Sequence, residues 1–169
     1  GGTAGLIHIE HDSMDAAFWF GLEQDLLERD GLDEDVFLFW RTRPTLMLGR
    51  YQNAAAEIDE AYAKARGIAI VRRLTGGGTI YTDPGSWQFS FIAPARSKQI
   101  DFREFVLPVL DALRRMGLNA VMSERNDLLI GGKKFSGNAQ YHEKGRVLHH
   151  GSILFDTDIE EMVRCLTVD

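Results

Sequence analysis

The sequence predicts an α+β domain, with a mostly antiparallel or mixed sheet and flanking helices. Two observations carry this reading. Hairpin signals are interspersed with helical patterns instead of alternating strictly with them. The glycine pair Gly131-Gly132 also stands between two short strand-like runs, where it permits the positive φ angles of a two-residue turn. The chain has 169 residues, 44% of them hydrophobic, which is enough for one sizeable core. No repeat, low-complexity tract or proline-rich linker marks an internal boundary, so one domain over 1–169 is expected.

Taken in order, 6–10 reads as a short strand. Asp12 and Ser13 can cap a helix in which Met14, Phe18, Leu22 and Leu26 recur every fourth position, predicting that this face is buried. The apolar runs 36–40 and 45–48, separated by 41–44, predict two neighbouring strands. Residues 59–66 read as a helix closed by Gly67. Next come a strand at 68–71, the triplet Gly76-Gly77-Gly78, a short run at 79–82 and an alternating segment at 88–92. A helix is expected over about 102–116, with Pro108 either kinking it or lying just inside its start. Residues 127–130 and 133–135 form the arms of the glycine hairpin. A further strand at about 147–155 pairs next to it across 143–145, and a last helix runs from about Ile159.

Composition excludes several classes of function. Nineteen Lys and Arg against 25 Asp and Glu give a formal net charge of -6, which argues against a protein that grips duplex nucleic acid through overall positive charge. No apolar run approaches the roughly 20 residues of a membrane-spanning helix. Residues 1–5 also lack the basic and apolar regions of a secretion signal, so a soluble, cytoplasmic protein with neither a nucleic-acid nor a membrane partner is expected. Cys165 is the only cysteine, which rules out an internal disulfide and a cysteine-rich zinc site. It lies in the terminal helix, where packing is the expected role. No G-x-S-x-G elbow supports a serine nucleophile.

Two segments carry the chemistry. Arg72-Arg73-Leu74-Thr75-Gly76-Gly77-Gly78-Thr79 sets two cations beside three residues without side chains, so backbone N–H groups can approach an anion closely while arginine grips carboxylate or phosphate. The alternative is a flexible turn with a solvated arginine pair. The second segment, 126–140, joins Asp127 and one of Lys133 and Lys134 on the hairpin, followed by Ser136, Gly137 and Asn138. The two lysines point to opposite faces of a strand, so one can face a pocket and the other water. His149 and His150 alternate likewise, so at most one is expected to face the core. Without nearby cysteine or repeated carboxylates, a packed histidine is expected there instead of a metal ligand.

Together these segments resemble the lipoate-protein ligase family, within the wider biotin/lipoate ligase fold. The resemblance rests on Trp40-Arg41, Gly49-Arg50-Tyr51-Gln52-Asn53, Arg72 to Gly78, Arg125-Asn126-Asp127, Lys134 to Gln140 and His149-His150-Gly151, in that order and at family-like spacing. It implies a catalytic domain that uses magnesium-ATP to activate lipoate as an acyl-adenylate. The acyl group then passes to a lysine of a lipoyl carrier domain, such as the glycine cleavage H protein or a 2-oxoacid dehydrogenase E2 domain.

The resemblance also implies site roles. Lys134 would contact the acyl carbonyl and α-phosphate oxygens as the catalytic residue. Trp40, Arg50, Arg73, Leu74, Gly76, Gly77, Gly78 and His150 would bind the acyl substrate, with Arg72 and Arg50 in secondary positions. Thr79, Asn126, Asp127, Lys134, Ser136, Gly137 and Ala139 would hold the nucleotide, and Asp127 its magnesium ion. Two departures stand out: the family's His-Asp-x-Gly-Asn run reads Thr82-Asp83-Pro84-Gly85-Ser86 here, and Asp169 falls where the family continues into a C-terminal segment and a small accessory domain. The alternatives are an octanoyl or lipoyl transferase of the same fold, which needs a thiolate near 123–127 where no cysteine stands, and a non-catalytic module that binds lipoate or lipoyl-AMP.

Overall fold

The computed structural model describes residues 6–95 and, between 107 and 166, all positions except 108, 109, 112, 116, 125–127, 131, 135, 155 and 157. Strands β1 (Leu6–Ile9), β2 (Asp35–Trp40), β3 (Thr45–Leu48), β4 (Ala69–Arg72), β5 (Ile80–Thr82) and β6 (Ser86–Pro94) precede β7 (Ala120–Met122), β8 (Leu128–Ile130), β9 (Lys133–Lys134), β10 (Ser136–Glu143) and β11 (Arg146–Leu154). Helices α1 (Ala16–Glu28), α2 (Ala54–Glu57), α3 (Glu60–Ala65) and α4 (Ile159–Leu166) flank them, and residues 107, 110, 111 and 113–115 are also helical. Pro108 lies outside the described residues. The strands form a five-stranded sheet in the order β1-β2-β6-β11-β10, and three-stranded sheets β4-β3-β5 and β7-β8-β9. The first two sheets are mixed, each containing one parallel pair, as the predicted fold class requires. Among the described residues no helix is long and apolar enough to cross a membrane.

The five-stranded sheet is covered on both faces. Trp19, Leu26 and Leu27 of α1 pack on one face against Val36, Leu38, Trp40, Ile92 and Leu148. Leu110 and Leu113 pack with Phe89, Phe91, Leu128 and Ile153 in a second cluster. This double cover overturns two expectations. Residues 88–92 are buried throughout instead of alternating, and both His149 and His150 are buried where only one was expected to face a core. A central strand has no solvent face for polar side chains to occupy.

The start of α1 is also shifted. Asp15, not Asp12 or Ser13, caps it by accepting from the Ala17 amide at 2.9 Å. The buried stripe is Ala16, Trp19, Glu23, Leu26 and Leu27, while Phe18 of the predicted face is exposed and stacks on His11. The large indole of Trp19 gains more from burial than Phe18, and it stacks on Trp40 with centroids 5.5 Å apart.

Strands β2 and β3 are not neighbours, as 36–40 and 45–48 were expected to be. Each already has two partners, β2 between β1 and β6 and β3 between β4 and β5, which leaves neither an edge for the other. The glycine hairpin forms in the predicted register, Ile130 opposite Lys133, with Gly132 at φ 77°. The strand after it does not pair beside that hairpin. Instead β10 and β11 make their own hairpin in the large sheet, turning at Lys144 (φ 49°) and Gly145 (φ 75°).

Candidate functional site

The parallel pairing of β3 with β4 determines where the site lies. Leu48 stands opposite Arg72, so the loops following the two strands emerge side by side from one end of the small sheet. They are tied together at once: the Arg73 amide donates to the Leu48 carbonyl at 3.0 Å, and the Arg50 amide donates to that of Thr75 at 2.9 Å. Gln52 Oε1 accepts from the Gly49 amide at 2.9 Å and from the Thr79 hydroxyl at 2.7 Å. Arg72 Nη1 reaches the carbonyls of Gly49 (2.8 Å), Gln52 (2.7 Å) and Arg50 (3.3 Å), clamping the first loop.

Arg73 does the same for the second loop, from inside. Its guanidinium donates from Nε to Thr75 Oγ1 at 3.1 Å and from Nη1 to the Met47 carbonyl at 3.0 Å. Nη2 donates to the carbonyls of Gly76 at 3.0 Å and Gly78 at 2.6 Å. The side chain is buried, and burial pulls its pKa below the ordinary arginine value. Because the glycine carbonyls are turned towards Arg73, the loop amides are left over. Among the described residues, none of the Gly76, Gly77 and Gly78 N–H groups meets an acceptor. Gly77 holds φ 105°, a conformation that side chains disfavour. Successive open amides with the chain in this form make an anion-binding concavity.

An apolar cluster adjoins this concavity. Leu74 packs against the α1 cluster that contains Trp40. Through this cluster runs a buried polar chain: Trp40 Nε1 donates to Ser90 Oγ at 3.0 Å, and Ser90 Oγ donates to Glu23 Oε2 at 2.6 Å. His150 Nδ1 lies 3.2 Å from that carboxylate oxygen, and His150 Nε2 lies 2.6 Å from Thr75 Oγ1. A single proton order satisfies every member: Nδ1–H donates to Glu23, Thr75 donates to Nε2, and Thr75 accepts from Arg73. The chain connects the apolar cluster at Trp40 to the glycine loop at Thr75.

The expected acyl residues Trp40, Arg73, Leu74, Gly76, Gly77, Gly78 and His150 therefore come together, with Arg50 on the rim and Thr79 at the loop's far side. Ala139 stands opposite His150 in the β10–β11 register, which brings that expected nucleotide residue to the same place, with Gly137 and Ser136 further along β10. Lys134 stands on β9 opposite Leu129, in the third sheet. Asn126 and Asp127 lie outside the described residues. Sequence reasoning passed over Glu23 and Ser90, and quoted Thr75 and Gln52 within its motifs without giving them a role. Glu23 left a signal, since it is a carboxylate between Trp19 and Leu26 on the apolar stripe of α1, a position that a charge occupies only with buried partners.

Two suspected features resolve differently. Thr82 pairs opposite Thr45, at the end of the small sheet away from the glycine loop, and its hydroxyl meets that of Thr42 at 2.7 Å with both residues buried. Asp83 in the same loop accepts from the amides of Gly85 and Asp158, both at 2.9 Å, tying the loop to the start of α4. Cys165 is fully buried against Leu46, Ile58 and Tyr81, and burial pushes its thiol up in pKa. That is the reverse of what a thioester-forming nucleophile needs.

Open amides, an adjoining apolar cluster and a buried polar chain define an α+β domain whose glycine loop offers donors to an anion. The chain belongs to the lipoyl protein ligase A/B catalytic domain family, whose sequence model matches residues 15–169. It is 40% identical over 137 residues to the lipoate-protein ligase LplJ of Bacillus subtilis, covering 80% of this chain and 41% of that protein. It thus spans less than half the length of this curated relative. A solved bipartite lipoate protein ligase of Thermoplasma acidophilum, described with its E2 lipoyl domain, superposes with a TM-score of 0.81 at 30% identity, covering 98% of this chain and 66% of that one. A crystal structure of lipoate-protein ligase A bound with ATP gives a TM-score of 0.81 at 28% identity, over 98% of this chain and 72% of that one.

Proposed function

We propose that this domain performs the ATP-dependent activation of lipoate to lipoyl-AMP and the transfer of the lipoyl group to a lysine of a lipoyl carrier domain. The observation that carries the reading is the inversion of the glycine loop: Arg73 gathers its carbonyls inward, and the amides of Gly76 to Gly78 are left for an anion. Adenylation joins two anions, a carboxylate and an α-phosphate. It therefore needs preorganised donors where charge develops, each worth roughly 2.7–4 kcal/mol in comparable sites. In this reading the alkyl chain and dithiolane of lipoate lie against the apolar cluster of Trp40 and Leu74. Lys134 supplies positive charge to the reacting oxygens, and Asn126, Ser136, Gly137 and Ala139 hold the nucleotide beside Thr79.

Around the glycine loop, the donor set among the described residues suits an anion and not a bare cation. Glu23 is the buried carboxylate there, and it is bonded to Ser90 and His150. Magnesium thus fits as the companion of the triphosphate, with Asp127 as its protein ligand. Carriers such as an H protein or an E2 domain follow from the family's chemistry, and the Thermoplasma ligase described with its E2 lipoyl domain supports the second.

The test is mass-spectrometric detection of acyl-AMP and pyrophosphate after mixing the domain with magnesium-ATP and, separately, lipoate, octanoate or biotin. Lipoyl-AMP from the wild type and none from a folded Lys134→Ala variant is expected. Wild-type yield from that variant would remove Lys134 from the catalytic role, and no adenylate from any acid would leave a binding module.

A further inference from the structure

Three arginines surround the joined loops, and they differ in what their N–H groups meet. Those of Arg72 and Arg73 are bonded to backbone and hydroxyl oxygens, as described above. Arg50 is exposed, and among the described residues its guanidinium has no hydrogen-bonded or ionic partner. What it meets instead are two tyrosine rings, lying 5.4 Å from the centroid of Tyr51 and 5.2 Å from that of Tyr141. Ring faces attract the cation and restrict its motion without accepting conventional hydrogen bonds. The base of this side chain is equally fixed. The Arg50 amide is bonded to the Thr75 carbonyl, and the preceding Gly49 presses against Gly77.

The position decides between two anions. An acid with a hydrocarbon chain must bury that chain, and the buried side of the loops is that of Trp40 and Leu74. Arg50 stands at the exposed rim of the loops, beside a Tyr51 that is 83% exposed and over a Tyr141 that packs against that same cluster, so its guanidinium faces water while the cluster is closed off beneath it. A polyphosphate suits that rim, since it carries several charges, needs cations and must leave into solvent.

Resting on the reading that the domain adenylates an acid, we propose that Arg50 is the binding residue for the β- and γ-phosphates of the nucleotide and for the pyrophosphate they become. This moves Arg50 from the acyl side, where sequence placed it, to the leaving-group side. In the step concerned, a carboxylate oxygen bonds to the α-phosphorus and the bond from that phosphorus to the oxygen bridging it to the β-phosphorus breaks. The bridging oxygen leaves with the electron pair as part of pyrophosphate. Arg50 offers planar, bidentate N–H donors to the charge gathering there.

The experiment is calorimetric titration of magnesium pyrophosphate, ATP and lipoate into wild type, Arg50→Ala, Arg50→Lys and the surface control Arg29→Ala, with thermal melts as the folding check. Arg29, the residue after α1, pairs with Asp25 at 2.6 Å and reports any general effect of removing a positive charge. The expected result for Arg50→Ala is roughly tenfold or greater weakening for pyrophosphate and ATP with lipoate affinity retained. Partial recovery is expected in Arg50→Lys and no change in Arg29→Ala. Unchanged pyrophosphate affinity in Arg50→Ala, or a loss confined to lipoate, overturns the assignment. Wild-type adenylate formation is measured in parallel. If adenylate forms while Arg50→Ala binds pyrophosphate normally, this inference alone fails. If none forms, the underlying reading fails and the pyrophosphate titration still decides Arg50.

Discussion

Gly49 and Gly77 touch so closely that a β-carbon on Gly49 would overlap the Gly77 carbonyl oxygen and lie 3.0 Å from its carbon. The two nearest atoms are backbone, in a loop held by Arg73 through the neighbouring carbonyls, and cannot swing aside; the third is Gln52 Oε1 at 3.2 Å. Gly49→Ala is therefore expected to force the two loops apart at a cost of about 1–3 kcal/mol, the usual range for overpacking a fixed site. Urea unfolding measures the stability and lipoyl-AMP formation the function. Gly76→Ala is the comparison, because a β-carbon there meets nothing within 4 Å. Equal stability of the two variants would show that the loops do not depend on the contact.

Arg73 organises the glycine loop through geometry that lysine cannot reproduce. A planar fork reaches Thr75, Met47, Gly76 and Gly78 together, whereas an ammonium is a point charge with three donors. Arg73→Lys is expected to lose about 1–3 kcal/mol, since at least one buried acceptor goes unmet. Limited proteolysis should then cut within 74–79 faster than in the wild type. Wild-type protection in that segment would mean that the carbonyls are held by something other than Arg73.

The sequence made local features legible where one residue type meets one backbone demand. Asp59 caps α3 by accepting from the Tyr62 amide at 3.0 Å, Gly67 follows the helix at φ 68°, and the hairpin at Gly132 keeps its register. At the site, the glycine triplet with its two arginines was legible as a place where backbone amides could face an anion. What stayed hidden depends on long-range pairing. Nothing local to 36–48 tells that β2 and β3 belong to different sheets, or that the chain changes sheets between Lys134 and Ser136. The Arg72-Arg73 dipeptide likewise does not reveal that both guanidinium groups grip backbone carbonyls. Glu23 escaped because periodicity counts apolar residues, and its partners Ser90 and His150 lie 67 and 127 residues away.

For Glu23 the expected order of stability is wild type, then Glu23→Gln, then Glu23→Ala. One carboxylate oxygen, Oε2, meets both Ser90 and His150, so an amide oxygen can replace it, whereas alanine orphans a buried hydroxyl and a ring N–H. Each orphan costs about 1–3 kcal/mol. Chemical denaturation orders the three proteins. Identical midpoints for the glutamine and alanine variants would show that the buried chain contributes no stability.

His149 gives the domain an expected acid sensitivity. Burial, and secondarily the adjacent His150, push its pKa from 6.5 down to about 4. It stacks on Phe89 and its Nδ1 lies 2.9 Å from the Gln140 amide nitrogen, an arrangement that suits a neutral ring accepting from that amide. Above about pH 6.5 the ring is neutral in both folded and unfolded chains and contributes no pH dependence. Between about 6.5 and about 4 the unfolded chain binds a proton that the folded one refuses, so stability falls with falling pH by up to about 1.4 kcal/mol per unit. The loss reaches on the order of 3 kcal/mol by pH 4 and levels off below it. Urea unfolding of the wild type between pH 7 and 4, set against His149→Gln, isolates this one-proton slope, and ring resonances in NMR follow the titration directly. A His149 ring that titrates near 6.5 in the folded protein would contradict the account, because a protonated ring could not accept from Gln140 at Nδ1.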